Sequence, residues 1–123
     1  MKHTCPVCGY DQMDDDAYYE NGDASFELCS CCGFQFGVDD DVEIEDGIFL
    51  SRSEAHDLYR ANWLKDGAKI FSDYAFTPNQ DAGEPLERRI LHKQLRRMHI
   101  QLDNYAESTL MTYANEKERY TSR

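Results

Sequence analysis

Basic residues are scarce in this chain. Its 123 residues carry 13 Lys plus Arg against 24 Asp plus Glu, a formal net charge of −11 at pH 7. Between positions 11 and 46 there is no Lys or Arg at all, while 13 carboxylates crowd that stretch. Such a surface repels nucleic-acid phosphates and sets this half of the chain against a nucleic-acid groove. Long apolar runs are missing as well. No span approaches the roughly 20 residues of a membrane-crossing helix, which argues against a membrane role. Met1-Lys2-His3-Thr4 leads directly to Cys5 without an apolar signal-peptide core, so a reducing, cytoplasmic setting is expected. Glycine and proline are few, 7 and 3. No glycine loop that could cradle phosphate, no Ser/His/Asp order and no His-x-Glu deaminase element is present, so an enzyme is not expected.

What the chain does have is five cysteines. An odd number in a reducing compartment argues against a disulfide framework. Four of them fall into two matching knuckles, Cys5-Pro6-Val7-Cys8-Gly9-Tyr10 and Cys29-Ser30-Cys31-Cys32-Gly33-Phe34. In each, a Cys-x-x-Cys pair on a tight turn aims two sulfurs at a common point, and the glycine that follows permits positive φ. The 20 residues from 9 to 28 separate the pairs, within the spacing usual for a structural metal site. Cys5, Cys8, Cys29 and Cys32 are therefore the expected ligands of one metal ion per chain. Cys31 sits one residue out of step and is read as a spare thiol. Four thiolates suit zinc and close its coordination sphere, leaving no position for substrate. Iron is the less favoured ion, since Cys-x-x-Cys-Gly-Tyr turns also resemble those of rubredoxins, which carry single electrons.

The pattern predicts an α+β fold: residues 1–50 form a zinc ribbon with an acidic loop, and residues 51–123 a helical part packed on it as one compact domain. Phe26 and Leu28 alternate with polar neighbours, and Phe34 and Phe36 repeat that period of two, so a small antiparallel sheet is expected beside the metal. Val42 and Ile44 suggest a further strand edge. Ser51-x-x-Glu54 fits a capping box opening a helix that runs to Lys65 or Asp66 before Gly67, with Ala55, Leu58, Tyr59, Asn62 and Trp63 facing inward. Beyond Pro85 neither glycine nor proline occurs. Leu91, Leu95, Met98, Leu102 and Tyr105 recur at spacings of 4, 3, 4 and 3, a heptad-like seam. One helix over 85–118 would be about 50 Å long, more than the roughly 35 Å of a domain this size. Either it breaks, near Asp103-Asn104, or the seam pairs with a second copy in a homodimer.

Asp39, Asp40, Asp41, Glu43, Glu45 and Asp46 resemble a calcium loop only loosely, because an EF-hand counted from Asp39 needs Gly where Ile44 stands and Glu where Leu50 stands. They read better as a solvated acidic surface suited to a basic protein partner. Arg88, Arg89, Lys93, Arg96 and Arg97 make one positive cluster, which offers a nucleic-acid contact over 88–97 as the alternative. His92 and His99 lie seven apart with no third ligand and point to no second metal site.

Together, the two knuckles, the stretch Phe26 to Gly37 with its acidic tail, and Tyr59-Arg60-x-x-Trp63-Leu64-Lys65-Asp66-Gly67-Ala68 resemble the small bacterial cysteine-rich CPCC-type zinc-ribbon proteins over roughly residues 1–72. The fifth cysteine lies in the second knuckle here instead of the first, and residues 86–123 fall outside the match. The resemblance implies a non-catalytic binding protein, of the kind found among immunity proteins that neutralise bacterial toxins.

Overall fold

The structure, a computed structural model, describes residues 1–76 and 81–100. Four regular elements occur in them: β1 (Glu43–Glu45), β2 (Ile48–Phe49), α1 (Arg52–Lys65) and α2 (Arg88–Arg97). β1 and β2 form an antiparallel hairpin with an irregular register, Glu43 opposite Phe49 and Glu45 opposite Ile48. Two helices and a small antiparallel sheet make an α+β fold. Among the described residues no helix is long and apolar enough to cross a membrane.

The first 37 residues hold no strand. They are tied by isolated antiparallel bridges, His3 with Met13, Tyr18 with Ala24 and Leu28 with Gln35. The sheet expected around Phe26 and Phe34 is thus reduced to one bridge. Phe26 takes φ +63, a conformation that ends any extended run, and its side chain remains 60% exposed while Phe34 and Phe36 are fully buried.

α1 begins as its sequence predicts. Ser51 accepts from the Glu54 amide at 3.2 Å, and the Glu54 carboxylate accepts from the Ser51 amide at 2.9 Å, which satisfies two amides that the helix itself leaves without acceptors. Its inward face is rotated from the expected stripe. Ala55, His56, Arg60, Trp63 and Leu64 are buried, whereas Leu58 is 45% exposed and Asn62 is exposed. The cause is polar: His56 and Arg60 both find hydrogen-bond partners beneath the helix, so they replace Leu58 and Asn62 on the buried side.

Both helices close alike. At α1 the Gly67 amide donates to Leu64 O at 3.1 Å and Ala68 to Trp63 O at 2.8 Å; at α2 His99 donates to Arg96 O and Ile100 to Leu95 O, each at 2.9 Å. This pair of bonds requires one left-handed residue, supplied by Gly67 at φ +100 and by His99 at φ +62. The helix expected over 85–118 therefore stops at Arg97, earlier than the expected break at Asp103-Asn104. Histidine tolerates the left-handed region better than most residues, and Ile100 turns back to pack against the core. Pro85 lies outside the helix, bridged to Lys69.

The core is one cluster that joins the cysteines to Phe34, Phe36, Trp63, Leu64, Ile70, Leu86, Leu91 and Leu95. Leu91 and Leu95, 0% and 1% exposed, lie inside it. Leu91 and Leu95 of the seam expected between two copies are thus part of the chain's own core, each such leucine stabilising it by about 1.5–3 kcal/mol, and Met98 is partly buried against it. Leu102 and Tyr105 lie outside the described residues. Leu95→Asp is accordingly predicted to unfold the chain at every concentration, where a dimer seam would lose only association; circular dichroism with sedimentation separates the two.

A second prediction concerns close approach. A Cβ on Gly9 would stand 2.1 Å from the backbone oxygen of Gln94, whereas one on Gly22 would meet nothing within 4 Å, and both residues hold positive φ. Gly22→Ala carries only the left-handed strain, about 1–2 kcal/mol. Gly9→Ala must also displace α2, and should lower the thermal midpoint far more in a melt of the two variants.

Candidate metal centre

The two cysteine turns repeat each other bond for bond. In the first, Cys5 N–H donates to Tyr10 O at 2.7 Å and Gly9 N–H to Cys5 O at 2.9 Å; in the second, Cys29 N–H donates to Phe34 O at 3.0 Å and Gly33 N–H to Cys29 O at 2.8 Å. Gly9 and Gly33 supply the left-handed turn, φ +84 and +80. The Val7 amide points back at Cys5 Sγ, 3.4 Å away.

Packed face to face, the turns bring Cys5, Cys8, Cys29 and Cys32 together, all buried, with ligand atoms within 4.8 Å of one another. This cluster is able to hold a metal ion. Cys5 Sγ lies 3.9 Å from Cys32 Sγ, and Cys8 Sγ 3.7 Å from Cys29 Sγ. Zinc–sulfur bonds of about 2.3 Å in a tetrahedron place sulfurs about 3.8 Å apart, so both edges fit. Without a cation the group resists multiple charges. Burial first, then neighbouring sulfurs, pushes the Cys32 thiol well up. At Cys8 burial and Cys29 raise the value, but hydrogen bonds from Cys31, Cys32 and Cys5 outweigh them and bring it down to about 7. A bound divalent cation supplies the missing positive charge and deprotonates coordinating thiols outright.

Cys31 stands outside the cluster, as its offset predicts. It is fully buried, and burial, followed by Cys8, pushes its thiol well up, the property of an inert cysteine rather than a reactive one. Gln94 Nε2 lies 3.6 Å from its sulfur.

The turns are held from outside by their carbonyl groups. Arg60 donates to Pro6 O at 3.0 Å and to Val7 O at 2.5 Å, Gln94 to Cys8 O at 3.0 Å, and Arg97 to Gly9 O. Four successive carbonyls thus receive side chains from α1 and α2. In the second turn Ser72 and Phe71 amides donate to Ser30 O and Cys31 O, both at 2.9 Å, and Tyr59 donates to Cys32 O at 2.8 Å. Arg60 is 4% exposed and pairs with Asp57 at 2.8 Å; its charge would offset part of the negative charge of four thiolates if a divalent ion were bound. Arg60 and Gln94 are site residues that spacing did not single out. Their only signal is a polar residue within an apolar helical stripe, Gln94 beside Leu95 and Arg60 between Tyr59 and Trp63.

The acidic run divides. Asp39 accepts from the Gln35 amide at 2.8 Å, and Asp40 from the Gly37 amide at 3.1 Å and from Tyr18 at 2.5 Å, so these two hold the turn after Phe36. Asp41, Glu43, Glu45 and Asp46 are exposed on or beside the hairpin. On α2, Arg88, Arg89, Lys93, Arg96 and Arg97 are exposed, Arg97 pairing with Asp11 at 3.4 Å.

Two results are predicted for metal binding. Serine at any one of positions 5, 8, 29 or 32 should abolish binding of about one ion per chain, with loss of fold, while Cys31→Ser retains both. Arg60→Met and Gln94→Leu should keep the ion but weaken its affinity about 10–100-fold, as measured by competition with a chromophoric chelator.

No family model matches the chain, and no solved structure matches it. Two proteins of Bacillus subtilis (strain 168) are similar to it: the uncharacterized protein YoaQ, 28% identical over 108 residues, covering 84% of this chain and 92% of its own, and the uncharacterized protein YozI, 26% identical over 112 residues, covering 84% and 90%.

Proposed function

We propose that the chain is a non-catalytic zinc-ribbon protein that docks a basic protein partner through its acidic hairpin, as an immunity protein docks a toxin. One observation carries the reading. In β1–β2 each carboxylate lies opposite an apolar side chain, Glu43 opposite Phe49 and Glu45 opposite Ile48, and Ile44, Ile48 and Phe49 are 56%, 50% and 52% exposed. Exposed apolar residues rimmed by charge of one sign suit a partner of opposite charge, with the apolar contacts supplying affinity and the carboxylates steering. Among the described residues no cation pairs with Glu43, Glu45 or Asp46.

The sulfur cluster supports the non-catalytic part. Four buried thiolates complete the coordination of zinc and leave no place for water or substrate. Zinc is favoured over iron because four thiolates close its coordination sphere and nothing about the turns requires redox chemistry. The resemblance to CPCC-type proteins supplies the toxin-neutralising form of the reading.

The exposed cations of α2 favour a second reading, a nucleic-acid contact. Cross-linking of the tagged chain in its native cells tests both. The expected product is a basic protein whose capture falls at least about tenfold when Glu43, Glu45 and Asp46 are all changed to Lys, with metal content unchanged. Capture unaffected by that triple substitution, or capture of nucleic acid lost in Arg88→Ala with Arg96→Ala, contradicts the proposal.

A further inference from the structure

We propose that the cleft between the first cysteine turn and the N-terminal turns of α1 binds a small phosphate group carrying one proton, held by Arg52, Ser53 and Nδ1 of His56. The cleft, about 360 Å³, is lined by Pro6, Tyr18, Arg52, Ser53, His56, Asp57 and Arg60. It lies apart from the sulfur cluster and from the acidic hairpin.

Hydrogen-bond bookkeeping fixes the state of His56. The Tyr18 hydroxyl has one hydrogen, and it donates that hydrogen to Asp40 Oδ2 at 2.5 Å; Asp40 acts as acceptor, since it also receives the Gly37 amide at 3.1 Å. The 2.8 Å contact between Tyr18 oxygen and His56 Nε2 must then be an N–H donated by the imidazole. Nδ1 keeps its lone pair.

That lone pair has no donor among the described residues. His56 is only 8% exposed, stacked on Tyr18 and edge-on to Phe34 and Phe36, yet no enclosed side-chain nitrogen or oxygen there lacks a partner. Nδ1 is therefore not enclosed, and His56 is one of the residues that line the cleft. Burial first, then Arg60 and Arg52, against Asp40 and Asp57, holds the imidazole below its ordinary value and so neutral.

Around this acceptor stand donors. Arg52 uses one Nη2 hydrogen on Gly22 O at 3.0 Å, and its guanidinium lies over the Tyr18 ring at 3.7 Å; the rest of its fork has no acceptor among the described residues. Ser53 adds a hydroxyl. The amides of Arg52 and Ser53 belong to the first helical turn, where no intrahelical acceptor exists and the helix dipole favours an anion. Of the charged residues lining the cleft, Arg60 is paired with Asp57 at 2.8 Å, which leaves the positive charge of Arg52 in a chain whose net charge is −11. A lone-pair acceptor among cationic donors matches neither a fully ionised oxyanion nor a neutral alcohol. A phosphate that retains at least one proton offers both halves, its P–O⁻ to Arg52 and Ser53 and its P–O–H to Nδ1.

The test uses the full-length, metal-loaded chain and side-chain ¹⁵N NMR near pH 6.5. Before any ligand, His56 should show the neutral tautomer with hydrogen on Nε2. Inorganic phosphate should then shift the His56 and Arg52 signals saturably, with a Kd of about 1 mM or tighter. Sulfate, equal in size but without the proton, should bind at least about tenfold more weakly, and Arg52→Gln should weaken phosphate about tenfold while leaving the fold and the tautomer intact. Equal binding of glycerol phosphate would assign the site to phosphomonoesters, and preference for inorganic phosphate would assign it to the free ion. An Nδ1–H tautomer, phosphate and sulfate binding alike, or a phosphate response unchanged in Arg52→Gln overturns the proposal.

Discussion

Four sulfurs brought to one point set the condition that the rest of the molecule meets. A Cys-x-x-Cys turn can present two thiolates only if its backbone curls tightly, and a tight curl faces its carbonyl groups away from the sulfurs and from each other. Those carbonyls then need donors. The chain supplies them with Arg60, Gln94 and Arg97 on one turn, and with Tyr59 and the amides of Phe71 and Ser72 on the other. The two helices are thus the outer wall of the sulfur site, and the return segment after α1 serves the second turn as a strand would. With only a two-stranded hairpin and two helices described, the cluster does the joining that a larger sheet does elsewhere, and a bound ion contributes folding free energy directly.

Charge is distributed to suit this plan. Carboxylates crowd the segments around the turns, yet the side chains that touch the turn carbonyls are arginines, a neutral glutamine and a tyrosine, so the sulfur cluster is faced by positive or neutral partners. Asp39 and Asp40 accept from the Gln35 and Gly37 amides on either side of Phe36, which leaves the exposed charge of that run to Asp41, Glu43, Glu45 and Asp46. The apolar side chains beside these carboxylates are what distinguish the hairpin from an ordinary solvated face.

The clustering of four cysteines and the α1 cap were legible because their signals are local. Cys-x-x-Cys-Gly twice over defines a turn and its sulfurs within six residues, and Ser51-x-x-Glu54 satisfies its bonds within four. The buried face of α1 was not legible, since a rule that sends apolar side chains inward cannot know that Arg60 will meet two turn carbonyls or that His56 will meet Tyr18. The end of α2 was hidden for a related reason. His99 carries the left-handed cap that glycine usually announces, so the absence of glycine and proline suggested a longer helix. Leu91 and Leu95 keep an apolar spacing, but periodicity does not say what such residues pack against, and these two are buried in the chain's own core.

The central claim is that four cysteine sulfurs, two from each turn, surround one zinc ion with no other ligand. X-ray absorption at the zinc edge of the purified protein tests it most directly. The account predicts a single shell of four sulfurs at about 2.3 Å. A shell containing nitrogen or oxygen, or an unchanged four-sulfur shell in Cys32→Ser, would contradict it.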